Sequence, residues 1–124
     1  MGRPRIVTAE PLALPEHELL ARVFRTLGDA TRLRLLEALL ALGEATQSEL
    51  LDYVDVAQPR VSEHLGCLTW CGFIAADRQG RTVTYRVVDP RADTFIALAR
   101  EFLHTNDAAV GGCSVLDREP ANES

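Results

Sequence analysis

The chain has 124 residues, enough for one domain and too few for two of ordinary size. With 47% hydrophobic and 25% charged residues and no run of about 18 apolar positions, it reads as a globular protein that neither spans nor partners a membrane. The formal net charge of −5 argues against a polyanion as partner of the whole surface, so the distribution of charge decides that question.

In chain order, residues 1–15 hold three prolines and read as an irregular N-terminal arm. Arg3 and Arg5 are followed by a stretch that Glu10, Pro11, Pro15 and Glu16 interrupt, so no signal-peptide core is expected. A cytoplasmic address follows by default, and there Cys67, Cys71 and Cys113 are expected as thiols rather than disulfides.

From Glu16 to Leu27 apolar residues recur at Leu19/Leu20, Val23/Phe24 and Leu27, the stripe of an amphipathic helix that Gly28 ends. Asp29 or Thr31 can cap a second helix with Leu33, Leu36, Leu39 and Leu40 inward, ended by Gly43. Thr46-Gln47-Ser48-Glu49 fits a capping box and places a third helix over about 47–54. After the turn Asp55-Val56-Ala57, Gln58 sits at the cap and Pro59 in the first turn of a fourth helix that runs to Cys71 and stops at Gly72. Two helices joined by so short a turn form a helix-turn-helix.

The period then changes. Residues 73–76 and 82–88 are β-rich and flank a turn at Gln79-Gly80, between Arg78 and Arg81, which predicts a hairpin. Asp89-Pro90 opens a last helix with Phe95, Leu98, Phe102 and Leu103 as its apolar face. Residues 105–124 lose that periodicity and read as a flexible C-terminal tail carrying Cys113. The predicted fold is mainly α (α+β), a winged helix-turn-helix of five helices with a β-hairpin wing, occupying residues 16–104.

The N-terminal residues of a helix laid in the major groove reach base edges. In the fourth helix the outward candidates are Gln58, Arg60, Ser62 and His64, with Val61, Leu65 and Leu68 inward. Gln pairs with adenine and Arg with guanine, while Ser serves a phosphate or a base. Arg78 and Arg81 make a basic wing tip suited to phosphates or the minor groove. Between Gln58 and Arg86 four arginines face two acids, a locally positive stretch in an acidic protein. The competing reading is a helix-turn-helix used for protein contacts, with solvated arginines on the hairpin.

Three segments resemble the ArsR/SmtB family of metalloregulatory repressors. Residues 27–36 are similar to its second-helix signature. Gln58-Pro59-Arg60-Val61-Ser62-Glu63-His64-Leu65 resembles its recognition helix, with Ser62 and the His64-Leu65 pair matching, and residues 80–85 resemble its wing. The resemblance spans roughly 17–104. It implies binding of operator DNA by a homodimer whose first and last helices pack together and bury Phe24, Phe95 and Phe102.

Cys67 and Cys71, one helical turn apart, share a face with β-carbons about 6 Å apart, within reach of one metal ion. The plain alternative is packing, since free cysteine buries as a small hydrophobe. Against it stand the position of the pair on the DNA-reading helix and a third thiol, Cys113, in a tail with no packing role. A sulfur-only site favours Cd(II), Pb(II), Hg(II) or As(III) over Zn(II), Ni(II) or Co(II). The arrangement resembles the family's CmtR-type cadmium/lead sensors, which implies Cys67 and Cys71 of one protomer joined by the partner subunit's Cys113. Mercury, content with two thiolates, and arsenite remain alternatives of the same architecture.

The family's other sites have no counterpart here. No cysteine falls within 48–52, Asp89-Pro90-Arg91 puts arginine where a ligand would stand, and His17 and His104 lack partners. The expected mechanism is repression without metal and release on metal binding. A rival is a repressor that senses oxidation through a disulfide. An enzyme is not expected, because Cys67-x-x-x-Cys71 is not the C-x-x-C of thiol oxidoreductases and no phosphate loop or nucleophile–base set is present.

Overall fold

The computed structural model describes residues 15–119; the arm at 1–14 and residues 120–124 lie outside the described part. Helix α1 (Glu16–Leu27) begins with Glu16 and Glu18 and ends with Arg25, charges that complement the helix dipole. Helix α2 (Ala30–Leu42) is capped by Asp29, whose carboxylate accepts from the Arg32 amide at 3.0 Å. Gly43 closes it at φ +85°, a conformation glycine adopts without strain.

Strand β1 (Ala45–Thr46) leads directly into α3 (Gln47–Leu50), where both arms of the Thr46/Glu49 capping box are made. A 3-10 turn (Leu51–Tyr53) follows, and then α4 (Gln58–Trp70). The cap of α4 is Ala57 rather than Gln58; Gln58 and Pro59 are already inside the first turn. Strands β2 (Ile74–Gln79) and β3 (Thr82–Val87) pair antiparallel from Ile74↔Val87 to Gln79↔Thr82. The two-residue turn is thus Gly80-Arg81, not Gln79-Gly80, and only Gly80 takes a positive φ, +64°. β1 joins the other edge of β3, so the sheet has the order β1-β3-β2. That third strand was not foreseen, because two residues carry no alternation to read.

The core forms where α2, α3 and α4 meet β2 and α5: Leu35, Leu36, Leu39, Leu50, Val61, Leu65, Leu68, Ile74 and Ile96. On α2 the buried apolar residues are Leu35, Leu36, Ala38 and Leu39; the expected Leu33 is half-buried and Leu40 faces solvent.

Helix α5 (Arg91–Gly111) is longer than expected and the segment after it is not irregular, since α6 (Ser114–Arg118) follows with Cys113 at its N-cap. At its start the Asp89 carboxylate accepts from the Arg91 amide and guanidinium, which holds the acid down at about 2. Where the apolar periodicity is lost, polar side chains bond back to their own helix. Asn106 Nδ2 donates to the Phe102 carbonyl at 2.9 Å and Thr105 Oγ1 to the same oxygen at 3.3 Å. Among the described residues no helix is long and apolar enough to cross a membrane.

Candidate nucleic-acid interface and thiol site

The turn between α3 and α4 is held from both sides. Val54 and Val56 pack on the core, and Gln47 Nε2 donates to the Gln58 carbonyl at 3.2 Å, tying the start of α3 to the start of α4. With Val61, Leu65 and Leu68 fully buried, α4 turns Gln58 and Ser62 to solvent. Arg60 is half-buried and its Nη1 lies 3.3 Å from Glu63 Oε1, an exposed pair that a phosphate or base can displace at little cost. In the wing Arg78 and Arg81 are exposed, while Arg86 pairs with Asp77 across the strands at 3.3 Å. Gln58, Arg60 and Ser62 therefore occupy the first turns of the exposed helix, as expected.

His64 does not. It is 3% exposed and points inward. The placement among outward residues failed because positions 61, 64, 65 and 68 form one continuous buried stripe, with 64 inside it. Its Nδ1 lies 3.0 Å from Arg32 Nη1 and its Nε2 lies 4.0 Å from Asp29 Oδ1. Because a guanidinium only donates, Nδ1 is the acceptor and Nε2 carries the proton.

Burial pushes the His64 imidazole below the ordinary 6.5; Asp29 and Glu63 act against that shift, Arg32 and Arg60 with it. The unfolded chain then takes up a proton that the native state refuses. The stabilisation from neutral His64 is complete above pH 6.5 and is lost as pH falls below that value toward the lower folded-state value. Urea midpoints are expected to drop between pH 7.5 and 5.5 with a slope of at most about 1.4 kcal/mol per pH unit. The His64→Asn variant should be flatter over the same window, and equal slopes would remove His64 as the cause.

Arg32 and Thr26 are functional neighbours that sequence reading missed. Arg32 Nε donates to the Thr26 carbonyl at 2.7 Å and Nη2 to the Arg25 carbonyl at 3.1 Å, satisfying the last turn of α1. Thr26, the only buried residue of α1, donates its hydroxyl to the Arg22 carbonyl and lies 3.9 Å from Cys71 Sγ. A buried threonine in an otherwise apolar stripe was the available signal.

The thiols lie at the C-terminal end of α4. The Cys71 amide donates to the Cys67 carbonyl at 3.0 Å, so the two side chains stand one turn apart on one face. Cys67 is half-buried and Cys71 exposed; burial, and then the neighbouring Cys71 thiol, push the Cys67 thiol up from its usual value. A cation that binds here must displace that proton, which a soft metal does and a hard one does not. Cys113 is a half-buried free thiol at the end of α5. Among the described residues no three His, Cys, Asp or Glu side chains gather where they could hold a metal ion, so one chain brings together Cys67 and Cys71 without Cys113. His17 and His104 are exposed. Trp70, the sole tryptophan, precedes Cys71 and is 91% exposed.

Residues 29–76, from the cap of α2 through the thiol-bearing helix into β2, match the model of the bacterial regulatory protein arsR family. The chain is 43% identical over 99 residues to a protein of Streptomyces lividans named probable mercury resistance operon repressor, covering 80% of this chain and 78% of that one. It is 41% identical over 70 residues to the HTH-type transcriptional regulator CmtR of Mycobacterium tuberculosis, 56% of this chain and 58% of that one. The crystal structure of the AntR antimony-specific transcriptional repressor superposes with a TM-score of 0.63 at 29% identity, over 75% of this chain and 84% of that one.

Proposed function

Since the chain belongs to the arsR family of bacterial regulatory proteins, and so is a DNA-binding transcriptional regulator rather than an enzyme, we propose that it is a metal-responsive repressor whose inducer is a soft thiophilic ion held by Cys67 and Cys71. The observation that carries this reading is the pair of thiols one turn apart at the end of the helix that presents Gln58, Arg60 and Ser62. Names given to relatives, a mercury resistance repressor and an antimony-specific one, support an inducer of that chemistry. Cys67 and Cys71 would hold the ion as thiolates, their two protons passing to solvent, and the ion would supply a cross-link one turn long. Of the two, Cys67 is half-buried on α4 and Cys71 lies 3.9 Å from Thr26 of α1.

The protein acts as a homodimer. Leu20, Phe24, Phe95, Leu98 and Phe102 are exposed on α1 and α5, with Phe24 at 65% and Phe102 at 61%, more apolar surface than one soluble chain ordinarily leaves on neighbouring helices. With the partner subunit's Cys113 as third ligand the site takes Cd(II) or Pb(II). The pair by itself suits Hg(II), for which two thiolates suffice.

Fluorescence anisotropy with a duplex selected for binding the metal-free protein tests the proposal. Cd(II), Pb(II) or Hg(II) at saturation should release the duplex, and undiminished binding under all three would end the reading. On the DNA side, Arg60→Ala should cost about 1–3 kcal/mol and relax preference at one base position if the guanidinium reads guanine. Arg81→Ala, at a phosphate, should weaken all duplexes alike and lower the salt slope by about 1. A sequence-independent loss from Arg60→Ala would move that residue to the backbone-positioning group.

A further inference from the structure

One half-buried guanidinium stands where three helices meet. Arg32 of α2 donates to the Thr26 and Arg25 carbonyls in the last turn of α1 with Nε and Nη2 and reaches α4 through His64 with Nη1. Its own amide is fixed by the Asp29 cap, and Asp29 is 1% exposed. On the other side of Thr26 lies the thiol site, with Cys71 Sγ 3.9 Å from Thr26 Oγ1. The polar path thus runs Cys71, Thr26, Arg32, His64, leaving α4 at its C-cap and returning to it two turns earlier, beside Arg60 and Ser62. Of these groups Thr26 and His64 are buried, Arg32 is half-buried and Cys71 is exposed. Among the described residues His64 Nε2 finds no hydrogen-bond partner, so the ring's hydrogen bond is the one between Nδ1 and Arg32.

We infer that Thr26, Arg32 and His64 are positioning residues that convert occupancy of the thiol pair into a change in the set of the DNA-reading helix. This rests on the reading of Cys67 and Cys71 as the inducer site. An ion that takes Cys71 Sγ withdraws it from the Thr26 hydroxyl. The Thr26 turn, the guanidinium that bonds to its carbonyl, and His64 then readjust together. The null alternative is a cluster that only holds three helices together, and the two make different demands on data. A structural cluster sets stability and the affinity of the metal-free protein for DNA. A relay sets the ratio of affinities with and without metal.

The test uses the full chain, Cd(II) and Hg(II) as probes, and the selected duplex. Thr26→Val keeps shape and removes the hydroxyl; His64→Leu removes the acceptor for Arg32. Thr26→Ser keeps the hydroxyl, and His64→Asn supplies an amide oxygen as acceptor in place of Nδ1. Ultraviolet sulfur-to-metal absorption should show wild-type stoichiometry in all four, because the thiols are untouched. Metal should lower operator affinity at least about tenfold in the wild type, in Thr26→Ser and in His64→Asn, and less than about threefold in Thr26→Val and His64→Leu. A wild-type drop in Thr26→Val overturns the relay, even if His64→Leu fails to fold. If the wild type itself binds metal and keeps its duplex, the inducer reading has failed and the relay falls with it.

Discussion

The Cys67→Ser/Cys71→Ser double variant is expected to hold its operator as the wild type does and to ignore Cd(II), Pb(II) and Hg(II). The first half follows from burial: Cys71 is exposed and Cys67 half-buried, so replacing sulfur by oxygen leaves Val61, Leu65 and Leu68 in place beneath the DNA-facing residues. The second half follows from ligand chemistry. A serine hydroxyl stays protonated at neutral pH and is a hard donor, so each exchange removes a thiolate without supplying a substitute. Loss of one such ligand should raise the metal concentration for half-release by about a hundredfold or more, some 3 kcal/mol. Anisotropy titrations measure both quantities on the same sample. Release of the double variant at the wild-type metal concentration would exclude the pair as the sensing site. The Cys113→Ser variant divides the metals: it should impair the response to Cd(II) and Pb(II) and spare that to Hg(II), for which two thiolates suffice. A loss of all three responses would make Cys113 a ligand throughout.

Replacing Phe102 by a charge should be nearly as damaging, by another route. Phe102→Glu puts a carboxylate on a face of α5 that is exposed in the single chain, so the protomer has no reason to unfold. In the dimer the same carboxylate would be desolvated against apolar residues of α1 and α5. Sedimentation velocity should therefore find monomers at concentrations where the wild type is dimeric. Operator affinity should fall by about a hundredfold or more, because each recognition helix then binds its half-site without the other held nearby. A variant that stays dimeric with unaltered affinity would place the interface elsewhere. Circular dichroism at equal concentration guards against unfolding as the cause.

Much of this molecule is local and therefore legible. Caps are read within three or four residues, and the Asp29 cap and the Thr46/Glu49 box form as their spacing says. The helix-turn-helix and the hairpin follow from periodicity and glycine, and two cysteines one turn apart on a helix are neighbours whatever the rest of the fold does. Bounds shift where side chains choose between two local partners. The apolar periodicity is lost from Thr105, yet Thr105 and Asn106 bond back to the Phe102 carbonyl and α5 continues to Gly111.

What sequence could not decide is which side of an amphipathic helix meets which neighbour. His64 lies on the inward stripe because α1 and α2 bring Arg32 and Asp29 to it from more than thirty residues away. The Thr26–Cys71 contact and the pairing of β1 with β3 depend equally on distant segments. Polar residues make this distinction hardest: a histidine in a helix is stable in water or against a half-buried guanidinium, and the choice rests on an acceptor geometry that exists only after the helices have packed. Backbone propensity and spacing thus determined the elements and the thiol pair, whereas long-range packing, by which buried donors find their acceptors, determined how that pair is connected to the DNA-reading helix.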